Sequence, residues 1–261
     1  MVGLFSLAMP ILLLTSLGIV AGLLSGLLGI GGGLILVPLL IALGHSPLQA
    51  VSTSSAAIVL TAASGTFENW RQGRLTGRSV LGLALPSLVT VQAGVWVANY
   101  LPEKGLLLGF ALFSLANVYL MGWSNQVRGG QTSIAPARLS QPWVARCLTG
   151  GLSGILAGIF GIGGGVILVP FQILLLRESI KPAIQTSLAV ILITSIAAAL
   201  GHSLHGNVLW EVGFCLGLGG TIGVQVSTRL LPKLSDRWVN RLFRTLLIVL
   251  GLYTLWRVYH S

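Results

Sequence analysis

Apolar residues in this chain come in long unbroken runs, with the polar positions gathered between them. No Asp, Glu, Lys or Arg occurs from Met1 to Phe67. Further charge-free runs cover Ser79 to Pro102, Gly105 to Val127, Cys147 to Leu176, Pro182 to Trp210, Val212 to Thr228 and Thr245 to Trp256. A helix that crosses a membrane needs about 20 mostly apolar residues. Most of these runs reach that length, and the last two recruit flanking residues. Glycine and proline punctuate the runs. Gly29-Ile30-Gly31-Gly32-Gly33 and Gly44-His45-Ser46-Pro47 divide the first into a helix at 4–28, a short one at 34–43 and a third at 50–70. Helices follow at 79–100, 106–121, 143–160, 166–176, 182–204, 209–230 and 239–259. The most polar long stretch, Ser124 to Gln141, carries Arg128, Gly129, Gly130, Pro136 and Arg138. It reads as a cytoplasmic linker at 123–142 between membrane repeats at 1–122 and 143–261.

The two halves repeat one another. Gly18 to Leu39 aligns without gaps on Gly150 to Phe171, and thirteen of the 22 positions are identical. The identities include the whole Gly-Ile-Gly-Gly-Gly element and the Val-Pro that follows it, Val37-Pro38 and Val169-Pro170. Farther on, Thr53-Ser54 falls on Thr186-Ser187 and Gly73 on Gly206. An internal repeat of this kind has to be settled before the fold is discussed.

Composition agrees with a membrane protein. Hydrophobic residues make up 54% of the chain and charged ones 8%, whereas a soluble domain is roughly a quarter charged. Mean hydropathy is +0.91. An ordinary soluble enzyme, a disordered tail and a nucleic-acid binder are excluded. The net charge of +10 belongs in cytoplasmic loops instead. Cys147 and Cys215 both lie in apolar runs and suggest neither a disulfide framework nor a metal knuckle. The N-terminus lacks the basic start and cleavage site of a signal peptide, so it reads as the first membrane helix.

Loop charge orients the repeats. The loop near Gly73 is basic (Arg71, Arg74, Arg78), while its counterpart near Gly206 has only His202 and His205. The loop before 50–70 is uncharged, while its counterpart holds Arg177, Glu178 and Lys181. Matching loops swap their basicity, so they are expected on opposite faces. If each segment reverses the chain and both termini lie outside, thirteen of the fifteen Lys/Arg are cytoplasmic; only Lys104 and Arg257 are outside. A broken single crossing in place of the first two segments would put nine outside, against the positive-inside rule. The expected fold is an all-α polytopic membrane protein of two inverted-topology repeats, each of about five segments. That is an arrangement of secondary transporters.

The short helices span about 11 residues, or roughly 16 Å of rise, half the hydrocarbon thickness. Their N-termini, at Gly33 and Gly165, are expected to meet near the midplane. Non-helical backbone at that depth must be buried in protein or line a cavity. Half-helix N-termini offer unpaired N–H groups and positive dipole ends, which suit an anion. The alternative is close packing. Gly18, Gly22 and Gly26, like Gly150, Gly154 and Gly158, have the spacing of small residues between membrane helices, and the five-residue element could extend that role.

Candidate anion ligands are Gly31, Gly32, Gly33, Thr53, Ser54, Gly163, Gly164, Gly165, Gln185, Thr186 and Ser187. Their hydroxyls and amides could donate to an oxyanion, or could equally cap and back-bond their own helices. Gln92 and Gln225 mark helix contacts or a cavity. Glu68, His202 and Glu211 are the groups a proton- or sodium-coupled uptake permease would use. His202 and His205 are three apart, but no ligand cluster accompanies them, so no metal and no cofactor is expected. Gly151-Leu152-Ser153-Gly154 matches the short nucleophile pattern of an intramembrane hydrolase, yet Ser153 aligns with Ala21 among packing glycines.

The repeated Gly-Ile-Gly-Gly-Gly element with its Val-Pro, followed by Thr-Ser and a small-residue helix ending near Gly73 or Gly206, resembles the sulfite exporter TauE/SafE family. The resemblance covers nearly the whole chain. It implies an inner-membrane permease that moves sulfite, sulfoacetate or other sulfonates, often outward, with Gly29 to Gly33, Gly161 to Gly165 and the two Thr-Ser pairs around the substrate. The expected partners are a small anionic substrate and the lipid bilayer, not nucleic acid, with a homodimer as a further option.

Overall fold

The computed structural model describes residues 2–128 and 142–260, and their regular structure is entirely helical. The first half holds α1 (Val2–Leu28), α2 (Gly33–Ala42), α3 (Pro47–Arg71), α4 (Gly77–Tyr100) and α5 (Glu103–Arg128). The second holds α6 (Pro142–Phe160), α7 (Gly165–Leu175), α8 (Ile180–Leu204), α9 (Trp210–Leu230) and α10 (Asp236–His260), with a single 3-10 turn at Leu231–Lys233. Among the described residues, eight helices are long and apolar enough to cross a membrane, while α2 and α7 are too short. Helix α5 runs to Arg128, seven residues past the expected end, so it enters the segment read as a linker; residues 129–141 lie outside the described residues.

Local chemistry accounts for the breaks. Ser46 caps α3: its Oγ accepts from the Gln49 amide, the Gln49 side chain accepts in return from the Ser46 amide, and Pro47 opens the helix. This reciprocal pairing satisfies two amides that a helix start would leave bare. It moves the helix start three residues ahead of the expected one, so Ser52, Thr53, Ser54 and Ser55 fall in the second turn and beyond. There Ser52 and Ser55 donate to the carbonyls of Leu48 and Val51 on their own helix, at 2.7 and 3.0 Å.

Helices α3 and α8 form the centre. Buried residues make up 61% of the most apolar 18-residue stretch of α3 and 78% of that of α8, against 33% of that of α4. Large apolar side chains such as Val89, Trp96, Tyr119, Phe214 and Val249 face outward from α4, α5, α9 and α10, as a lipid-facing surface requires.

Packing exchanges helices between the halves. Along α1 and α9, Gly18 lies against Leu216, Gly22 against Gly220, and Gly26 against Val224 and Ser227. Both series ascend, so the helices run the same way. Helices α4 and α6 repeat this, with Gly150 on Leu83, Gly154 on Ser87 and Gly158 on Val91. At Gly18, Gly22, Gly150, Gly154 and Gly158 an added Cβ would overlap the opposing carbonyl, and at Gly26 the Ser227 hydroxyl; glycine lets the backbones come so close. Helix α3 also runs with α9, Thr53 lying near Gly213 and Ser64 donating to the Thr221 carbonyl at 3.3 Å. Helix α4 runs with α8, Gln92 donating to the Ala197 carbonyl at 2.8 Å and Asn207 to Asn99 at 2.8 Å. Helices α3 and α8 oppose one another: Gly65 approaches Leu188, while Ala56 clusters with Ala199.

Candidate functional site

The two glycine loops lie back to back at the heart of the bundle. Every residue from Gly29 to Leu34 and from Gly161 to Val166 is buried. A Cβ on Gly33 would overlap the Gly161 carbonyl oxygen, and one on Gly165 would overlap that of Gly29. The half-helix N-termini therefore do meet, each set against the other half's loop. In both loops the first, third and fourth residues have positive φ, and Gly32 (85°) and Gly164 (78°) serve as left-handed N-caps to α2 and α7. Without a β-carbon these positions cost little in that region.

This backbone leaves its amides idle. Gly29 donates to the Ser25 carbonyl, and the next donor toward the helix, Ile35, reaches back to Gly32. Among the described residues, none of the amides of 30–34 donates to a backbone carbonyl. The same holds for 162–166, between Gly161, which donates to Ala157, and Ile167, which donates to Gly164. More than nine in ten buried backbone amides are paired in folded proteins, so two matching runs of five unpaired ones form a dense set of donors. The Ser25 hydroxyl, fully buried and close to Gly32, also has no partner. Ile58 and Ile191, repeat equivalents, sit against both loops: a Cβ on Gly31 would lie 2.9 Å from Ile191 Cγ2 and 3.2 Å from Ile58 Cγ2.

The hydroxyl groups divide unevenly. Ser54 donates to the Gly161 carbonyl at 2.7 Å and Ser153 to Gly164 at 3.1 Å, while the Thr194 hydroxyl lies between the Gly163 carbonyl (3.2 Å) and those of Val190 and Ile191 on its own helix (3.2 and 3.1 Å). Three side chains thus reach the second loop. Their counterparts do not tie the first: Ser187 accepts from Gln172 Nε2 at 2.9 Å, Thr61 bonds to Ala57 within α3, and Ala21 has no hydroxyl. Thr53 turns elsewhere and accepts from the Leu209 amide at 3.1 Å. Gln185 and Thr186 are buried in the second turn of α8. Of the two amides marked on α4 and α9, Gln92 makes a helix contact and Gln225 is exposed. Ser25, Ser153, Thr194 and Gln172 were not among the expected site residues. Ser153 was set aside for its packing neighbours, and the other three sit among apolar residues with nothing in their spacing to mark them.

The ionisable candidates stand apart from the loops. Glu68 is buried near the end of α3, where both its oxygens meet Arg229 (3.0 and 3.3 Å) and one also meets Arg71 (3.2 Å) and Gln72. Buried His202 bonds through Nε2 to the Gly158 carbonyl at 3.0 Å, and its repeat equivalent is buried Asn69. Glu211 is exposed in the first turn of α9. Among the described residues no group of three or more metal-ligating side chains gathers. An apolar cavity of about 260 Å³ opens between α3, α8 and α9, lined by Leu60, Leu200, Trp210 and Phe214, with no charged side chain in its wall.

The fold places the chain in the class of integral membrane proteins: among the described residues, eight helices are long and apolar enough to cross a membrane, and two short helices meet at the centre. The chain belongs to the sulfite exporter TauE/SafE family, whose model matches residues 14–254. It is similar to a probable membrane transporter protein of Xylella fastidiosa (strain Temecula1), 30% identical over 90% of this chain and 91% of the relative. It is also similar to the probable membrane transporter protein YunE of Bacillus subtilis, 25% identical over 93% and 96% of the two chains. A third relative, the probable membrane transporter protein MJ0441 of Methanocaldococcus jannaschii, is 26% identical over 96% and 97%. No solved structure matches the chain.

Proposed function

We propose that this protein exports small sulfur oxyanions or sulfonates, such as sulfite or sulfoacetate, across the inner membrane. In this reading the two glycine loops hold the anion, at a point near the bilayer midplane. The observation that carries it is the pair of buried amide runs, 30–34 and 162–166, without acceptors. Successive free amides at a helix N-terminus form a concave anion receptor, and the Ser25 hydroxyl adds a neutral donor. The family's description as sulfite exporters supports the substrate class and the direction.

We also infer inverted repeats with both termini outside. Helices α1, α3 and α9 share one direction, α4, α6 and α8 share one, and α3 opposes α8. Repeat partners α1 and α6, and likewise α4 and α9, then point opposite ways, in keeping with the swapped loop charges.

Neutral donors leave the bound anion's charge uncancelled, so the membrane potential acts on the loaded site at ~2.3 kcal/mol per charge per 100 mV. Glu68, held by Arg229 and Arg71, is spoken for as an ion-pair partner and not free to carry protons. The test is efflux of sulfite, sulfoacetate, taurine and thiosulfate from preloaded proteoliposomes. An inside-negative potassium–valinomycin potential should accelerate efflux of at least one sulfur anion, and collapsing the potential should slow it. Efflux that ignores the potential and follows a pH gradient would overturn the electrogenic mechanism.

A further inference from the structure

The two basic residues that break the cytoplasmic bias of the loop charges, Lys104 and Arg257, are 153 positions apart, yet they line one cavity. It measures about 450 Å³ and opens between the loop after α2, the start of α5 and the end of α10; His45, Ser46 and Glu103 share its wall. Arg257 is held in place: Nη2 donates to the Ile41 carbonyl at 3.1 Å and Nε to the Tyr253 hydroxyl at 3.5 Å. Its Nη1 and the Lys104 ammonium have no partner among the described residues. Glu103 is the one carboxylate in the wall, against Lys104 and Arg257, so basic side chains outnumber acidic ones in the lining. Deeper in, Ile41, Pro47 and Leu107 also line a gap of about 10 Å³ whose other walls include Val51, Phe110 and Phe160. That is the lower limit of space for one water molecule. The Val51 carbonyl in turn lies against Gly161 of the second glycine loop.

We propose that this cavity is a second anion site, a vestibule that takes a small, water-borne oxyanion between Lys104 and Arg257. A narrow apolar neck separates it from the glycine loops. The site goes beyond the transport reading and can be tested without it. With both termini outside, as inferred above, positive-inside sorting acts against basic residues on this face, so two of them converging on one cavity wall point to a local task. The cavity is much larger than a bare tetrahedral oxyanion and leaves room for part of its hydration shell.

A single cysteine in place of His45, in a Cys147→Ser/Cys215→Ser background, places a thiol in the wall and reports the local potential. Anionic and cationic methanethiosulfonate reagents are compared by their rates of modification. Lys104→Gln together with Arg257→Gln should lower the anionic-to-cationic rate ratio about tenfold, as two unit charges a few ångströms away would. Arg257 also braces the end of α2, so Lys104→Gln alone, a change at an exposed side chain, is the control for folding and should lower the ratio about threefold. Sulfate should slow the anionic reagent more than chloride at equal ionic strength, and only when both basic residues are present. An unchanged ratio, or sulfate no better than chloride, would overturn the site. Protection by phosphatidylglycerol and not by free sulfate would overturn it too, by assigning the cavity to a lipid headgroup.

Discussion

A glycine in this protein tolerates a methyl group according to what faces it, whatever its place in the repeat. Gly33 and Gly165 each face a carbonyl oxygen of the opposite loop, so the added carbon of Gly33→Ala or Gly165→Ala has nowhere to go but through a backbone shift. Overpacking of that kind costs about 1–3 kcal/mol. Gly77, at the start of α4, has nothing within 4 Å and no positive φ, and Gly77→Ala should be neutral or stabilising by up to about 1 kcal/mol. Thermal unfolding in detergent should therefore give lower midpoints for the first two variants and an equal or higher one for the third. The element itself was plain in the sequence, since two copies of Gly-Ile-Gly-Gly-Gly are hard to miss. Its two readings, receptor and packing, were open there. The structure shows close packing of the loops together with idle amides, a combination that side-chain identities do not encode.

Between elements, Glu68 is the clearest tie. It joins α3 to Arg229 on α9 across 161 positions of sequence, with its side chain 4% exposed and that of Arg229 55% exposed. From the sequence it could be either an interfacial carboxylate or a proton carrier, because its distant partner was invisible. Glu68→Gln should remove charge-assisted bonds worth about 1.5–3 kcal/mol at most, with screening at the exposed arginine reducing that. We expect a lower unfolding midpoint, while the pH dependence of flux per folded molecule stays unchanged. A displaced pH profile with normal stability would make Glu68 a coupling group instead. Helix positions were legible because charge-free runs and Gly/Pro breaks mark where a span begins and ends. Their neighbours were not, since a membrane helix is apolar all round and its hydropathy does not say which face meets protein.

At the scale of the whole molecule, the arrangement makes a statement about sides. Single cysteines at Arg74, in the loop after α3, and at Ser203, in the last turn of its repeat equivalent α8, probe matching ends of the two helices. Arg74 lies near the end of α9, where its Nη1 approaches the Thr228 carbonyl at 3.4 Å, while Ser203 lies close to Asn207, which bonds Asn99 at the end of α4. The two cysteines should react with impermeant thiol reagents from opposite sides of the membrane. Reaction of both from one side would sink the inverted arrangement. Loop charge alone pointed to this topology, because the bias is carried by many residues at once. The convergence of Lys104 and Arg257 needed the fold, as α5 and α10 belong to different repeats.

The exchange of helices between halves also sets a timetable for assembly. The glycine face of α1 is completed by α9, whose Leu216 follows Gly18 by 198 residues. At about 5–20 residues per second of synthesis, α1 waits on the order of 10–40 s in the bilayer with its natural neighbour not yet made. Helix α6, by contrast, finds α4 already inserted when it emerges. Biogenesis is thus lopsided between two halves that repeat one another in sequence. Helix α1, made before the other described helices, is among the last to be locked, and until then its small-residue stripe stands open to any other helix that offers one.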